Sequence, residues 1–243
     1  MMLSQPLSLL NGATERATPQ GLPFNEVGYS DSAAPLHPFA VEPGLALLDL
    51  KPRSRVLDMH ASGRGRARHL MSGIGAGGTL VANIAGAATL EGSGVFGSNG
   101  ASMTMMHLTD DQLRPKTLGL FDRLLLDTRA VSGHCVSSRY ASERQFRLLR
   151  RAVDLCAPGG RILYMTGGHA PEENEVVVDR VLNDSLKSLA LRPARLENVL
   201  GTPGETCWRG QQLDPRLSLT LRLHCEALAG VQSGFAAVIE RTG

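Results

Sequence analysis

CAPGGRILYMTGGHAPEENEVVVDRVL, residues 156–182, decides the fold because a helix end, a strand and a new helix follow one another here. The turn Pro158-Gly159-Gly160 is expected to end the first helix. Residues 161–166 form a strand, and Pro171 opens the next helix. In open α/β sheets the chemistry lies just beyond the carboxyl ends of strands. That place is held by Thr166-Gly167-Gly168, which brings no nucleophile, acid or base.

Strands and helices alternate along most of the chain. An arginine-rich amphipathic helix is predicted over 142–157, and the strands are predicted at 54–59, 78–84, 101–108, 121–128, 161–166, 217–225 and 234–240. Such alternation predicts a mostly parallel sheet with helices on both faces. No helix separates the last two strands, which predicts an antiparallel hairpin at one edge. This layout, with seven strands, is that of the Rossmann-like methyltransferase fold, an α/β class.

Length and composition favour one globular domain. The 243 residues are 42% hydrophobic and 20% charged, enough for a substantial core. We assign residues 41–243 to this domain and residues 1–40, rich in Pro, Gly, Ser and Asn, to an extended arm. The first 20 residues are rich in Ser and Thr and poor in acids, which favours an organellar targeting segment, although Arg16 is their only basic residue.

Composition excludes some classes of protein and leaves nucleic-acid binding open. No apolar run approaches the length needed to cross a bilayer, so no membrane span is expected. The four cysteines form no CxxC pair, which argues against a disulfide framework and against a zinc site. The formal net charge of +2 is too small to indicate nucleic-acid binding by itself.

A Gly-containing turn after the first strand is similar to the start of a dinucleotide-binding loop. Gly63-Arg64-Gly65 begins the fingerprint, but the third glycine is replaced by Arg68. An acid that would hold ribose hydroxyls is also missing, because the second strand ends in Asn83-Ile84. An NAD-linked reductase is therefore not expected, and the same missing acid weakens the case for S-adenosylmethionine.

Taken in order, five segments resemble the Nol/Nop/Sun family of RNA cytosine-5 methyltransferases over roughly residues 38–240. They correspond to the family's D-x-C-A-A-P-G-G-K, L-D-x-P-C-S-G, P-G-G…Y-S-T-C-S, E-E-N-E and G-F-F-x-A motifs. In this chain they read Asp58–Arg66, Leu126-Asp127 with Ser132-Gly133, Pro158-Gly159-Gly160 with Tyr164-Met165-Thr166-Gly167, Glu172-Glu173-Asn174-Glu175, and Gly234-Phe235-Ala236-Ala237.

The resemblance implies covalent catalysis by two cysteines, one attacking C6 of cytosine and one helping product release. Matched residue by residue, one cysteine position falls on Gly167 and the other on Val131, or on Ala130 if Asp127 is the anchor. We therefore expect no catalytic residue at these positions. Cys135 lies a few residues later in the same loop and is the candidate nucleophile if the enzyme is active.

The cofactor site implied by the resemblance is a degenerate remnant. Its members are Asp58, Gly63, Gly65, Asp110 (the family's adenine-side acid) and Asp127. The ribose acid corresponds to Ile84, so no cofactor is expected, or S-adenosylmethionine if the enzyme is active. His60 replaces a small residue and either fills the altered site or contacts a ligand.

A set of arginines is expected to line the former substrate cleft and to contact RNA phosphates by charge and shape. Two alternatives remain open: a solvated arginine face, or arginines paired with Asp58 or Asp127. The set comprises Arg64, Arg66, Arg68, Arg129, Arg139 and Arg144.

The resemblance, combined with the missing thiols, implies a catalytically inactive member, most like the family's mitochondrial ribosomal member, that acts as a structural or assembly factor. It would bind ribosomal RNA and ribosomal or assembly proteins during mitochondrial ribosome biogenesis. A helical-repeat protein of the mitochondrial termination-factor type is a further expected partner; neither membrane nor DNA is. The alternatives are an active RNA cytosine-5 methyltransferase, a protein scaffold without RNA contact, and a cytoplasmic or nucleolar location.

Overall fold

A computed structural model describes residues 44–61, 64–84, 100–128, 138–196, 201–223 and 234–243. These residues belong to one compact unit, Pro35–Gly243. The predicted arm, residues 1–40, lies outside the described residues. Gly63, Arg129, Val131 and Cys135 also lie outside the described residues. For Arg64, Gly65 and Arg139 only the backbone is described, as part of a helix.

The order of elements follows the predicted alternation. The α-helices are α1 (Arg64–Ile74), α2 (Pro115–Leu118), α3 (Ser138–Leu155) and α4 (Glu175–Asp184). The strands are β1 (Arg55–Ala61), β2 (Thr79–Ile84), β3 (Ser102–Met106), β4 (Phe121–Asp127), β5 (Cys156–Thr166), β6 (Leu189–Arg192), β7 (Gly201–Pro203), β8 (Cys207–Trp208), β9 (Gln211–Gln212), β10 (Leu221–Leu223) and β11 (Gly234–Arg241). Short 3₁₀ turns occupy Ala46–Leu48, Pro171–Glu173 and Pro215–Leu219.

The main sheet has the order β3-β2-β1-β4-β5-β11-β10-β7, with β6 also pairing with β11. The five neighbouring strands β3, β2, β1, β4 and β5 are all parallel to one another. Strand β11 is antiparallel to β5, β6 and β10. The predicted α/β fold with an antiparallel β10–β11 pair is thus confirmed. The sheet has nine strands rather than seven, because the short β6 and β7 carry too few residues to show alternation.

The core lies on both faces of this sheet. One cluster joins α3 and α4 to the sheet through Leu149, Val153 and Val178. The other joins α1 to the opposite face through Leu70 and Ile74. Helices on both faces leave the carboxyl ends of the parallel strands as the open edge, where ligands bind in such folds.

Two local predictions differ from the structure. The turn expected at Pro158-Gly159-Gly160 is part of β5, which begins at Cys156 with a shift of register against β4. A Cβ at Gly160 would lie 2.7 Å from the Ala157 carbonyl oxygen, so glycine permits this irregular pairing. The strand predicted at 217–225 begins only at Leu221, because the Asp214 side chain caps the preceding 3₁₀ turn by accepting from the Arg216 N–H.

Candidate functional site at the carboxyl edge of the sheet

The carboxyl ends of β1, β4 and β5 bring buried polar side chains to one edge of the sheet. Asp58 and Asp127 are each about 1% exposed, and Thr166 is 2% exposed. Their proximity follows from parallel strand pairing: Asp58 lies opposite Leu125, and Asp127 lies opposite Met165, which precedes Thr166. The two acids that the resemblance assigns to the cofactor site therefore lie at the same edge of the sheet.

Arg66 lies between these two acids. Its Nη2 donates to Oδ2 of Asp127 at 2.5 Å, and its Nη1 lies 3.5 Å from Oδ2 of Asp58. The side chain is 6% exposed. This differs from the RNA contact expected for Arg66 and corresponds to the alternative in which an arginine pairs with both acids. The reason is that α1 starts directly after β1, so its first turn faces the ends of β1 and β4.

The Arg66 cluster, defined as Asp58, Arg66 and Asp127, holds two carboxylates and one guanidinium. Burial raises the pKa of Asp58, and Arg66 only partly opposes that effect, while the nearby charge of Asp127 adds to it. Oδ1 of Asp58 makes no hydrogen bond to any described residue. Buried polar atoms without partners are costly, and they are concentrated at functional sites.

A bulge in β1 sets the direction of the next side chain. Asp58 pairs with Ala82 and Ala61 with Ile84, so two residues of β1 face Asn83 alone. The Asn83 side-chain amide compensates for the interrupted strand pairing by donating to the Met59 carbonyl at 3.2 Å. It also accepts from the Leu108 N–H at 2.7 Å and donates to the Leu108 carbonyl. Bulges commonly redirect side chains beside active sites.

The redirected residue is His60. It is 1% exposed, and its Nε2 lies 3.6 Å from Oδ1 of Asp110. Arg144 approaches the same carboxylate, with Nε 3.2 Å from Oδ2. The imidazole and then the guanidinium lower the pKa of Asp110 to about 2, against the opposing effect of partial burial. Neither nitrogen of His60 has a hydrogen bond of ordinary length to a described residue.

The remaining predicted arginines are divided between surface and site. Arg68 is exposed on α1. Arg144 is 30% exposed at the rim of the site. The three of these arginines whose side chains are described therefore do not form one surface: Arg66 is buried, Arg144 borders Asp110, and Arg68 is exposed.

The turn after β5 is held by a second polar network, the Asn174 network, of Tyr164, Thr166, Asn174, Glu175 and Arg222. Oγ1 of Thr166 donates to Oδ1 of Asn174 at 2.5 Å, and Nδ2 of Asn174 donates to the Gly168 carbonyl at 3.0 Å. The Tyr164 hydroxyl donates to the Glu173 carbonyl at 2.6 Å. Gly167, where the family's cysteine would lie, is thereby placed just past the strand end.

Glu175 and Arg222 form the buried ion pair of this network. Arg222 donates through Nε and Nη2 to the two oxygens of Glu175, at 2.6 and 2.8 Å. Nη1 of Arg222 donates to the His169 carbonyl, and the Glu205 N–H donates to Glu175. The pair therefore joins β10 and α4 to the turn that carries Gly167.

Sequence reasoning missed Asn83, the Thr166–Asn174 contact and the Glu175–Arg222 pair as structural determinants of the site. A signal existed for Asn83, an isolated amide at the end of an apolar strand. Another existed for Arg222, a cation inside an alternating strand. Neither signal names a partner, because the partners lie 24 to 47 residues away in sequence.

The described residues do not fit the ribose contact of S-adenosylmethionine. Ile84 is 6% exposed and offers no acceptor, and the Asn83 amide is bound to backbone groups. Asp58 and Asp127 already face Arg66. Among the described residues no helix is long and apolar enough to cross a membrane, and no three acidic, His or Cys side chains could together hold a metal ion.

Sheet order and edge site together define a Rossmann-like methyltransferase fold. The family model "16S rRNA methyltransferase RsmB/F" matches residues 45–208. The chain therefore belongs to this family of RNA cytosine-C5 methyltransferases, and the family resemblance expected from the sequence is confirmed.

Curated relatives agree with this assignment. The chain is 28% identical over 200 residues to the human 28S rRNA (cytosine(4447)-C(5))-methyltransferase, covering 74% of this chain and 24% of the human protein. It is 26% identical over 200 residues to the tRNA (cytosine(49)-C(5))-methyltransferase of Pyrococcus abyssi, covering 73% of this chain and 61% of that protein. The chain thus spans about a quarter of the length of the human relative.

Solved structures show the same fold. A methyltransferase homologue from Pyrococcus horikoshii superposes with a TM-score of 0.65 at 25% identity, covering 82% of this chain and 65% of that one. NSun6 from Pyrococcus horikoshii has a TM-score of 0.62 at 17% identity, covering 83% of this chain and 51% of that one.

Proposed function

We propose that this chain is an RNA-binding member of the family that does not carry out the two-cysteine reaction and that acts as an assembly factor on ribosomal RNA. The observation that carries the proposal is Gly167, held by the Asn174 network at the point where the family's Y-S-T-C motif has a cysteine. Cytosine-C5 transfer through a covalent adduct needs a thiolate beside the base. Glycine has no side chain to supply one.

No described thiol replaces it. Cys156 begins β5, at the opposite end of the strand from Thr166. Burial raises the pKa of Cys156 to about 11, so the thiol stays protonated at neutral pH. Cys207 is exposed in β8, outside the main sheet.

The Arg66 cluster supports the same proposal. A guanidinium 2.5 Å from Asp127 and 3.5 Å from Asp58 occupies the space between the acids that the family motifs place at the cofactor edge and compensates part of their charge. The end of β2 brings no carboxylate for the ribose. We therefore expect S-adenosylmethionine to bind weakly or not at all.

Ribosomal RNA is the proposed partner because the family description and the human relative both name ribosomal RNA. A fold docked on a large RNA can retain its surface while its pocket loses chemistry, since function resides in sites rather than in folds. A mitochondrial location is proposed from the Ser/Thr-rich, acid-poor composition of residues 1–20. A helical-repeat partner there is proposed from the resemblance to the mitochondrial ribosomal member of the family. Imaging the full chain with a C-terminal fluorescent protein tests the location.

Isothermal titration with S-adenosylmethionine tests the loss of chemistry, with the Pyrococcus abyssi tRNA methyltransferase titrated in parallel. We expect no detectable heat for this chain and a normal isotherm for the relative. Micromolar binding, or methyl transfer to ribosomal RNA, contradicts the proposal. Crosslinking to RNA in cells tests the proposed RNA binding. If no RNA adduct forms, the alternative of a protein scaffold without RNA contact is favoured.

A second candidate is an active cytosine-5 methyltransferase that uses Cys135. It is favoured by the retention of Asp58, Asp110 and Asp127 at the motif positions. Replacing Cys135 by Ser would abolish methyl transfer by such an enzyme, whereas the matched Cys207→Ser variant would keep it. Equal activity of the two variants excludes Cys135 as the nucleophile.

A further inference from the structure

Helix α3 presents a stripe of exposed and half-buried side chains that begins at the candidate site. Tyr140, Arg144, Arg147 and Arg151 follow one another at spacings of four, three and four residues, which places them along one side of the helix. At a rise of about 1.5 Å per residue the stripe is roughly 16 Å long. We call these four residues the α3 stripe.

The cations of the α3 stripe differ from neighbouring arginines in their partners. Arg150, on the same helix, is ion-paired with Asp184. Arg180, on α4, is paired with Glu143 and lies over the ring of Phe146. Within the stripe, Arg144 approaches Asp110. By contrast, Arg147 and Arg151 take part in no salt bridge among the described residues, although the charge of Arg151 acts on Asp111.

More positive charge lies at the far end of the stripe. Arg114 and Arg151 both lie near the exposed carboxylate of Asp111, whose pKa is lowered first by the Thr109 hydroxyl that donates to it and then by these guanidinium groups. Lys116 is also exposed, in the adjoining α2. The carboxylates of Asp111 and Asp110 compensate only part of this charge.

An exposed aromatic ring accompanies the arginines. Tyr140 is 59% exposed. The other large apolar side chains that are exposed among the described residues are those of Leu120 and Leu186. A ring next to a row of cations fits a nucleic-acid strand, because bases stack on the ring while guanidinium groups contact phosphates. The stripe also reaches the site directly, since Arg144 contacts Asp110 at 3.2 Å.

We propose that the α3 stripe is the surface along which a single-stranded segment of RNA approaches the candidate site, with its phosphates on Arg147 and Arg151 and a base on Tyr140. This inference rests on the proposed RNA-binding function and goes beyond it by naming the path. An acidic protein is the competing occupant, and the exposed aromatic ring favours RNA.

Binding of a fluorescein-labelled 20-nucleotide single-stranded RNA to the full chain, measured by anisotropy over a range of salt concentrations, tests the path. The double variant Arg147→Gln/Arg151→Gln is compared with Arg150→Gln/Arg180→Gln, which removes the same charge from ion-paired positions. Two lost phosphate contacts lower the slope of log K against log salt by about 1.4. The control pair leaves that slope unchanged.

Tyr140 is tested separately. Tyr140→Ala is expected to weaken RNA binding by about fivefold or more, as for other stacking rings, whereas Tyr140→Phe retains the ring and the affinity. Urea unfolding of each variant confirms that the fold is kept.

The outcomes separate the two proposals. If the wild type binds RNA and the Arg147/Arg151 variant binds it equally well with the same slope, the path is wrong and the RNA-binding function stands. If the wild type does not bind this single-stranded RNA but crosslinks to RNA in cells, the path is wrong; if it does neither, the proposed function itself fails. If polyglutamate binds instead, and only through Arg147 and Arg151, the stripe is assigned to an acidic protein and the RNA path is overturned.

Discussion

Two polar groups of residues lie at the same edge of the sheet and differ in how their charges are satisfied. In the Asn174 network the buried carboxylate of Glu175 receives three hydrogen bonds, two of them from Arg222. In the Arg66 cluster one guanidinium faces two buried carboxylates, and an oxygen of Asp58 has no hydrogen bond to a described residue. Both groups are buried, so burial alone does not distinguish them.

The difference indicates which residues maintain the fold. A buried group that stabilises the folded chain needs partners from the chain itself, because an unpaired one costs free energy. The Asn174 network meets that requirement and fixes the turn around Gly167. The Arg66 cluster meets it only in part, because Oδ1 of Asp58 has no hydrogen-bond partner among the described residues.

The largest expected effect is on the Asn174 network. Arg222→Met leaves the Glu175 carboxylate buried without its cation, which costs about 3–5 kcal/mol of unfolding free energy. Urea denaturation measures it. The control Arg192→Met removes an exposed arginine paired with Glu240 and should lower the unfolding free energy far less, because exposed ion pairs contribute little. Equal losses for the two variants would remove the distinction between buried and exposed pairs.

The second-largest loss of unfolding free energy is expected for Asn174→Ala. It removes the acceptor of the Thr166 hydroxyl and the donor to the Gly168 carbonyl, both in a buried turn. The expected loss is about 1–3 kcal/mol. Asn183→Ala, at an exposed position of α4, serves as the control and changes stability by about 0.5 kcal/mol or less. A similarly small effect at Asn174 would show that the turn is held by other contacts.

Asp110→Asn has a smaller, pH-dependent effect. The pKa of Asp110 is lowered from 3.8 to about 2, so its charged form stabilises the folded state above pH 3.8 and this contribution is lost as the pH falls towards 2. Because the side chain is 43% exposed, solvent screening limits the contribution to about 1 kcal/mol. Unfolding curves of wild type and variant should differ at pH 7 and converge near pH 2; a constant difference contradicts this.

The smallest effect is expected at Asp58, with the opposite pH dependence. Its pKa is raised by burial, so its contribution to stability is present at low pH and is lost as the pH rises through the folded-state pKa. Asp58→Asn should therefore leave the unfolding free energy at pH 7 unchanged or raise it by about 1 kcal/mol. Asp127→Asn, which removes the 2.5 Å partner of Arg66, should lower it. A large loss at Asp58 would make the Arg66 cluster as structural as the Asn174 network.

The sequence predicted the fold well where periodicity was regular. The apolar runs of β1, β2, β4 and β11 need only strand alternation or continuous burial to be recognised. It failed at β5, where pairing with β4 draws Pro158-Gly159-Gly160 into the strand, and at β6 and β7, which are too short to carry a pattern. Strand pairing is a long-range interaction, and local sequence does not specify it.

For the site, the sequence by itself determined which chemical groups are available. It has no thiol at position 167 and has carboxylates at Asp58, Asp110 and Asp127. Only the tertiary structure decided what those groups do. It placed Arg66 inside rather than on a surface that could contact RNA, because the first turn of α1 adjoins the ends of β1 and β4. Residue types are local properties of the chain, whereas the partner of a buried charge depends on which distant segments the fold brings together.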